Sequence, residues 1–197
     1  MMTMQKPLIL QLDIAGNPSR WITYEEAAYY HAKNLIAWTP SDDTYTIHGG
    51  TNRITSTQST MVLNTIIAIK GAIDSKHLSR VPTLTNKALF RRDQNLCAYC
   101  GQEFVNAKLT RDHVMPSSRG GKNVWTNVVT ACGSCNKRKD DHTLEESGMK
   151  ILYVPYAPSR AEHLILMNRT ILVDQMDFLL AKVGKDSRLL KPVRIIH

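Results

Sequence analysis

All four cysteines of the chain fall into two Cys-x-x-Cys pairs, Cys97 with Cys100 and Cys132 with Cys135, with 31 residues between the pairs. Two residues between ligands let a tight turn aim both sulfurs at one ion, and two such turns supply the four thiolates of a tetrahedral Zn²⁺ site. Gly101 and Gly133 suit those turns. A redox Cys-x-x-Cys or buried structural thiols are the alternatives that spacing leaves open. A zinc held by four protein ligands has no open position for water, so it is structural. The segment between and just after the pairs carries Asp112-His113, Asn127 and Asn136. It therefore offers a carboxylate, an imidazole that exchanges a proton near neutral pH, and two amides.

The elements that must position these groups are short. Leu109 to Val114 reads as a strand and Pro116 to Gly121 as a loop with two glycines. Val124 to Thr130 reads as a returning apolar segment, and a helix opens at Gly133. Strand, loop, strand and helix make a ββα unit. Before it, Thr85 to Asp93 predicts a short helix capped by Thr85. After it, Thr143 and Glu146 form a capping-box pattern closed by Gly148, and Met149 to Val154 reads as extended. Ser159 to Val183 has the longest helical periodicity, stopped by Gly184, and a basic, mobile tail is expected from Lys185.

The front of the chain reads as small α+β. Strands are predicted over Leu8 to Ile14, Leu35 to Thr39, Tyr45 to His48 and Asn64 to Lys70. Thr23 and Glu26 cap a helix, and residues 49–61, rich in Gly, Thr, Ser and Gln, read as a loop or irregular edge strand. Three regions result: a small N-terminal domain over 1–80, a central domain with the two cysteine pairs over 81–150, and an extension with a long helix over 151–197.

The central segment resembles the HNH endonucleases, of the ββα-metal fold. The resemblance rests on Arg92, Cys97-Ala98-Tyr99-Cys100-Gly101, Leu109-Thr110-Arg111-Asp112-His113-Val114-Met115-Pro116, Gly120-Gly121, Trp125-Thr126-Asn127 and the stretch from Ala131 to Lys139. It covers about residues 88–147. It implies that His113 is the general base that activates a water. Asn127 would brace the loop carrying it. Asp112 and Asn136 would ligate a catalytic divalent cation, with Asn136 standing where the motif often has His. The chemistry is coherent. A neutral imidazole accepts the proton, and one carboxylate with one amide oxygen leaves most coordination positions open, as Mg²⁺ prefers. Oxygen in place of nitrogen at 136 tilts the site toward Mg²⁺ or Mn²⁺ over Ni²⁺ or Zn²⁺.

Charge agrees. The chain of 197 residues has 25 Lys+Arg against 17 Asp+Glu, net +8. Residues 1–80 hold 7 and 6 of these, so nearly all the excess follows. Arg92, Arg111, Arg119, Lys122, Lys137, Arg138 and Lys139 are the candidates for contact with a nucleic-acid backbone, although charge runs commonly form solvated faces. Arg91 clusters with them. Trp125 and Tyr99 read as packing residues, His142 as an exposed loop residue, and the remaining histidines show no ligand spacing. No apolar run approaches the ~20 residues needed to span a bilayer, and the N-terminus lacks a signal-peptide pattern. Reduced thiols and a cytoplasmic setting, bacterial or phage-infected, are the expectation.

The reading is a metal-dependent endonuclease hydrolysing DNA phosphodiesters, with structural Zn²⁺ and catalytic Mg²⁺ or Mn²⁺. Its expected partner is double-stranded DNA, with a homodimer or two nicks needed for a double-strand break. The alternatives are a zinc-stabilised nucleic-acid-binding module, or an HNH subunit of a larger phage or mobile-element machine.

Overall fold

The computed structural model describes residues 7–71, 81–168, 170–185 and 187–190. The chain is mixed α+β and divides into two compact units. One comprises residues 1–80 with 160–183, the other 81–159 with 184–197.

In the first unit, β1 (Ile9–Leu12), β2 (Pro18–Ile22), β3 (Ile36–Trp38) and β6 (Ile66–Ile69) form a sheet in the order β2-β1-β6-β3. β1 runs parallel to β6, and the two edge strands are antiparallel to their neighbours. Alternation sends the side chains to two apolar layers. Leu10, Leu12, Ile66 and Ala68 pack with Ala161, Leu164 and Leu179 on one face. Ile9, Ile67 and Ile69 pack with Ile22, Ala27 and Leu63 on the other. Helix α1 (Tyr24–Ala32) starts at the anticipated capping box of Thr23 and Glu26. β2 lies outside the predicted strands. Pro18 stands at its first residue, where a missing N–H is tolerated on an edge strand.

Residues 49–61 are not a simple loop. They supply the end of β4 (Thr44–Thr51) and the start of β5 (Gln58–Asn64), which pair as an antiparallel hairpin. Gly49 permits the close approach, because a Cβ there would lie 2.3 Å from Ser59 Oγ. The Asn52 carbonyl Oδ1 accepts from the N–H groups of Ile54 and Thr55 and turns the chain between the strands.

The predicted long C-terminal helix is two helices, α5 (Arg160–Met167) and α6 (Val173–Ala181). Asn168 breaks it, its Oδ1 accepting from Thr170 N–H at 3.1 Å, the local competition that makes Asn a helix stop. α6 restarts where Gln175 Oε1 accepts from Leu172 N–H. The same buried Gln175 donates through Nε2 to Leu8 O at 2.8 Å and Thr65 O at 2.9 Å.

The second unit opens with α2 (Asn86–Arg92), capped by Thr85. Then come the hairpin of β7 (Leu109–His113) and β8 (Val128–Cys132), α3 (Gly133–Lys139), and α4 (Leu144–Ser147) between its capping box and Gly148. Ala88, Leu89, Phe90, Leu109, Trp125 and Val128 are its core. Met149 to Val154 forms no strand; Leu152 N–H donates to Ala98 O. Most of the expected basic tail lies outside the described residues.

Arg92, predicted to touch nucleic acid, is instead buried at the centre of this unit. Its guanidinium donates to both Asp93 carboxylate oxygens and to the carbonyls of Trp125, Val128 and Tyr156. Asp93 also accepts from Thr130 N–H and from Arg188. A planar five-donor group suits this hub, because it satisfies a buried carboxylate and three backbone carbonyls together. Trp125 packs in the core, its indole N–H donating to Pro82 O at 2.6 Å.

Candidate active site and metal cluster

Two tight turns bring the four cysteines together. In the first, Leu96 bridges Glu103, Cys97 N–H donates to Gln102 O and Gly101 N–H to Cys97 O. Gly101 takes a left-handed φ of +69° there. In the second, β8 runs into α3 and Cys135 N–H approaches Cys132 Sγ at 3.5 Å. The sulfurs of Cys97, Cys100, Cys132 and Cys135 all lie within 4.8 Å of one another. A tetrahedral ion with Zn–S of about 2.3 Å needs sulfurs roughly 3.8 Å apart, so the donor set fits a metal such as zinc. Burial pushes the Cys97 thiol up, but the N–H groups of Cys100, Cys132 and Tyr99 outweigh it and hold the thiol below its ordinary value. Burial and the neighbouring thiols raise Cys135. Crowded thiols resist adding further negative charge, and a cation at their centre removes that resistance.

Strand β7 and helix α3 share a short seam. Thr110 and Asp112 stand two apart on one face of β7, and Asn136 and Lys139 stand one turn apart on α3. Asn136 Nδ2 donates to Thr110 Oγ1 at 2.9 Å. Lys139 Nζ lies 3.5 Å from Asp112 Oδ1 and donates to His113 O at 2.8 Å. The other Asp112 oxygen, Oδ2, accepts from the Tyr99 hydroxyl. Burial and the adjacent Asp112 charge raise the Tyr99 phenol, which stays a proton donor.

Lys139, predicted to contact nucleic acid, is instead fully buried and has no surface to offer a phosphate. Its ammonium neutralises Asp112 and fixes the carbonyl of the adjacent histidine. Tyr99 does more than the packing predicted for it, since its hydroxyl ties the first cysteine turn to β7.

Asp112 and His113 line one cleft of about 230 Å³, with Pro116, Ser117, Ser118, Asp140 and Asp141. Asn136 lies in the adjoining seam and does not line it. Asn127 works behind the loop. Its Oδ1 accepts from Met115 N–H, and its Nδ2 donates to Met115 O and Lys122 O. Gly121 sits against the same loop, where a Cβ would lie 1.8 Å from Met115 O. No side chain larger than hydrogen fits.

Asp140 and Asp141 are absent from the residues predicted from sequence. Their one signal is an acidic pair directly after the basic end of α3. Of the predicted nucleic-acid contacts, Arg119, Lys122, Lys137 and Arg138 are exposed. Arg111 shares the His113 face of β7 and donates to Asn123 Oδ1. Arg119 pairs with Glu146 at 2.6 Å on the surface. His142 is exposed, as expected, its Nδ1 at 3.2 Å from Lys139 O.

The second unit is thus a ββα unit fastened by four cysteines that could hold a metal, with an Asp-His pair at the end of its hairpin. Residues 97–152 match the family model described as HNH endonuclease. Among the curated proteins compared, none matches the chain. Among the described residues, no helix is long and apolar enough to cross a membrane.

Proposed function

We propose that the protein is a metal-dependent endonuclease that hydrolyses phosphodiester bonds of double-stranded DNA. What carries the reading is the cleft in which His113 stands beside a buried, doubly anchored Asp112, inside the stretch that matches the HNH endonuclease family. His113 is the general base that takes a proton from the attacking water. Asn127 and Gly121 keep the loop after it closed, so the imidazole is presented from a fixed backbone. Asp112 and Asn136 are the residues that would hold a divalent cation. The donor types suit a hard ion: Asp112 offers a carboxylate and Asn136, on the facing helix of the seam, an amide oxygen. When bound, Mg²⁺ or Mn²⁺ supplies charge neutralisation at the phosphate and stabilises the leaving oxygen.

The four-cysteine cluster holds Zn²⁺ in a structural role in this reading. Lys122, Lys137, Arg138 and Arg111 contact the DNA backbone, giving salt-sensitive affinity with little sequence preference. One ββα unit addresses one strand, so a double-strand break needs two nicks or a homodimer.

Purified protein with Mg²⁺ or Mn²⁺ should nick or linearise plasmid DNA. His113→Ala should abolish cleavage while DNA binding in EDTA survives. Cleavage by His113→Ala at the parent rate would overturn the assignment of the base. DNA binding with no cleavage under any divalent cation would favour a binding module.

A further inference from the structure

We propose that Thr110 is a positioning residue for the catalytic cation, acting by fixing which end of the Asn136 amide faces the metal position. The inference rests on the reading of Asp112 and Asn136 as cation ligands.

An asparagine ligates a hard cation through its carbonyl oxygen alone; its NH₂ group has no lone pair to offer. A side-chain amide that turns over presents the wrong end, so the orientation must be set by a neighbour. Here the neighbour is Thr110. Its hydroxyl carries one proton, and that proton goes to Ala131 O at 3.1 Å, on the paired strand. The Thr110 oxygen is then an acceptor toward α3, and it accepts from Asn136 Nδ2 at 2.9 Å. Nδ2 is thereby committed to β7, which leaves Oδ1 on the opposite edge of the amide. A chain of two hydrogen bonds, Asn136 to Thr110 to Ala131, locks the orientation from the strand backbone outward.

The placement is economical. Thr110 and Asp112 share one face of β7, so the same strand supplies one ligand and orients the other. Valine in place of Thr110 has nearly the same shape but neither donates nor accepts, and the amide of Asn136 becomes free to turn over. Aspartate in place of Asn136 has oxygen on both sides and needs no orientation.

The test uses the full-length, zinc-loaded protein titrated with Mn²⁺ in the absence of DNA, with free Mn²⁺ read by electron paramagnetic resonance. Asp112→Ala comes first and should abolish specific Mn²⁺ binding. Unchanged binding in that variant overturns the cation site itself, whatever Thr110 does. Given loss in Asp112→Ala, Thr110→Val should weaken Mn²⁺ binding roughly 10- to 100-fold, the usual cost of removing a partner behind a metal ligand. Thr110→Ser, which keeps the hydroxyl, should bind as the parent does. In an Asn136→Asp background, Thr110→Val should have no further effect on affinity. Parent-like binding by Thr110→Val, or equal weakening in the Asn136→Asp background, overturns the role of Thr110. Retained zinc content in each variant separates these outcomes from loss of fold.

Discussion

Tyr99 stands between two cysteines of the metal cluster and donates its hydroxyl proton to the buried carboxylate of Asp112. One side chain therefore connects the structural cluster to the candidate active site. Zinc and nuclease chemistry should be coupled although the two metals would share no ligand. Stripping zinc should lower cleavage even with Mg²⁺ in excess. Tyr99→Phe removes only the hydroxyl, and should cost about 1.5–3 kcal/mol for a bond to a charged acceptor. Cleavage and urea denaturation measured on the zinc-loaded variant check this. A Tyr99→Phe protein as stable and active as the parent would remove the connection.

Lys139 and its neighbours on α3 should separate cleanly by function. Lys139→Met leaves Asp112 buried without its ammonium, and should destabilise the nuclease unit by roughly 3–5 kcal/mol. It should leave the salt dependence of DNA binding unchanged in any folded fraction. Lys137→Ala with Arg138→Ala should do the reverse. The unit keeps its stability, DNA affinity falls, and the slope of log K against log salt drops by about 0.9 for each phosphate no longer neutralised. Filter binding across a salt series distinguishes the two.

Gly121→Ala should inactivate without releasing zinc. The added Cβ would overlap the Met115 carbonyl, so the loop held by Asn127 must move. Metal analysis should still find about one zinc per chain, the content expected of a closed four-thiolate site. Plasmid cleavage should fall to the level of His113→Ala. Activity close to the parent would mean that the loop has room to spare.

The first unit carries its own pH dependence. Burial, helped by the charge of Arg160, holds the His163 imidazole below its ordinary value of 6.5. A depressed folded-state value means stability that is full above about 6.5 and lost as pH falls, because the unfolded state binds the proton first. Urea midpoints should therefore drop between pH 7 and pH 5. The drop should shrink in His163→Phe.

The nuclease unit is legible in the sequence because its signals are local. Cysteine spacing, Thr85 and Thr143 as caps, and the strand-loop-strand pattern each concern residues close together. The roles of Arg92 and Lys139 are not legible there, because burial is settled by what folds over a side chain. Arg92 meets Trp125 and Tyr156, far along the chain, and nothing in an Arg-Arg-Asp run announces that. The split of the C-terminal helix turns on Asn168, one residue whose side chain outcompetes the next helical turn. Polar composition leaves residues 49–61 open between a loop and an edge strand, since the strands of the β4–β5 hairpin are mostly exposed and the pairing register explains them.

Gln175 joins α6 to the carbonyls of Leu8 and Thr65, and this has a consequence for synthesis on the ribosome. Strands β1 and β6 are translated early, but the helices that cover Leu10, Leu12, Ile66 and Ala68 come last. The sheet must wait, with one apolar face bare, until residue 183 has left the exit tunnel. By then both cysteine pairs are already outside and free to capture metal. The nascent chain thus passes through a stage in which the nuclease unit has its metal ligands in hand while the first unit is still open. Truncation before α6 would freeze it there, with an exposed hydrophobic sheet that invites aggregation or chaperone binding.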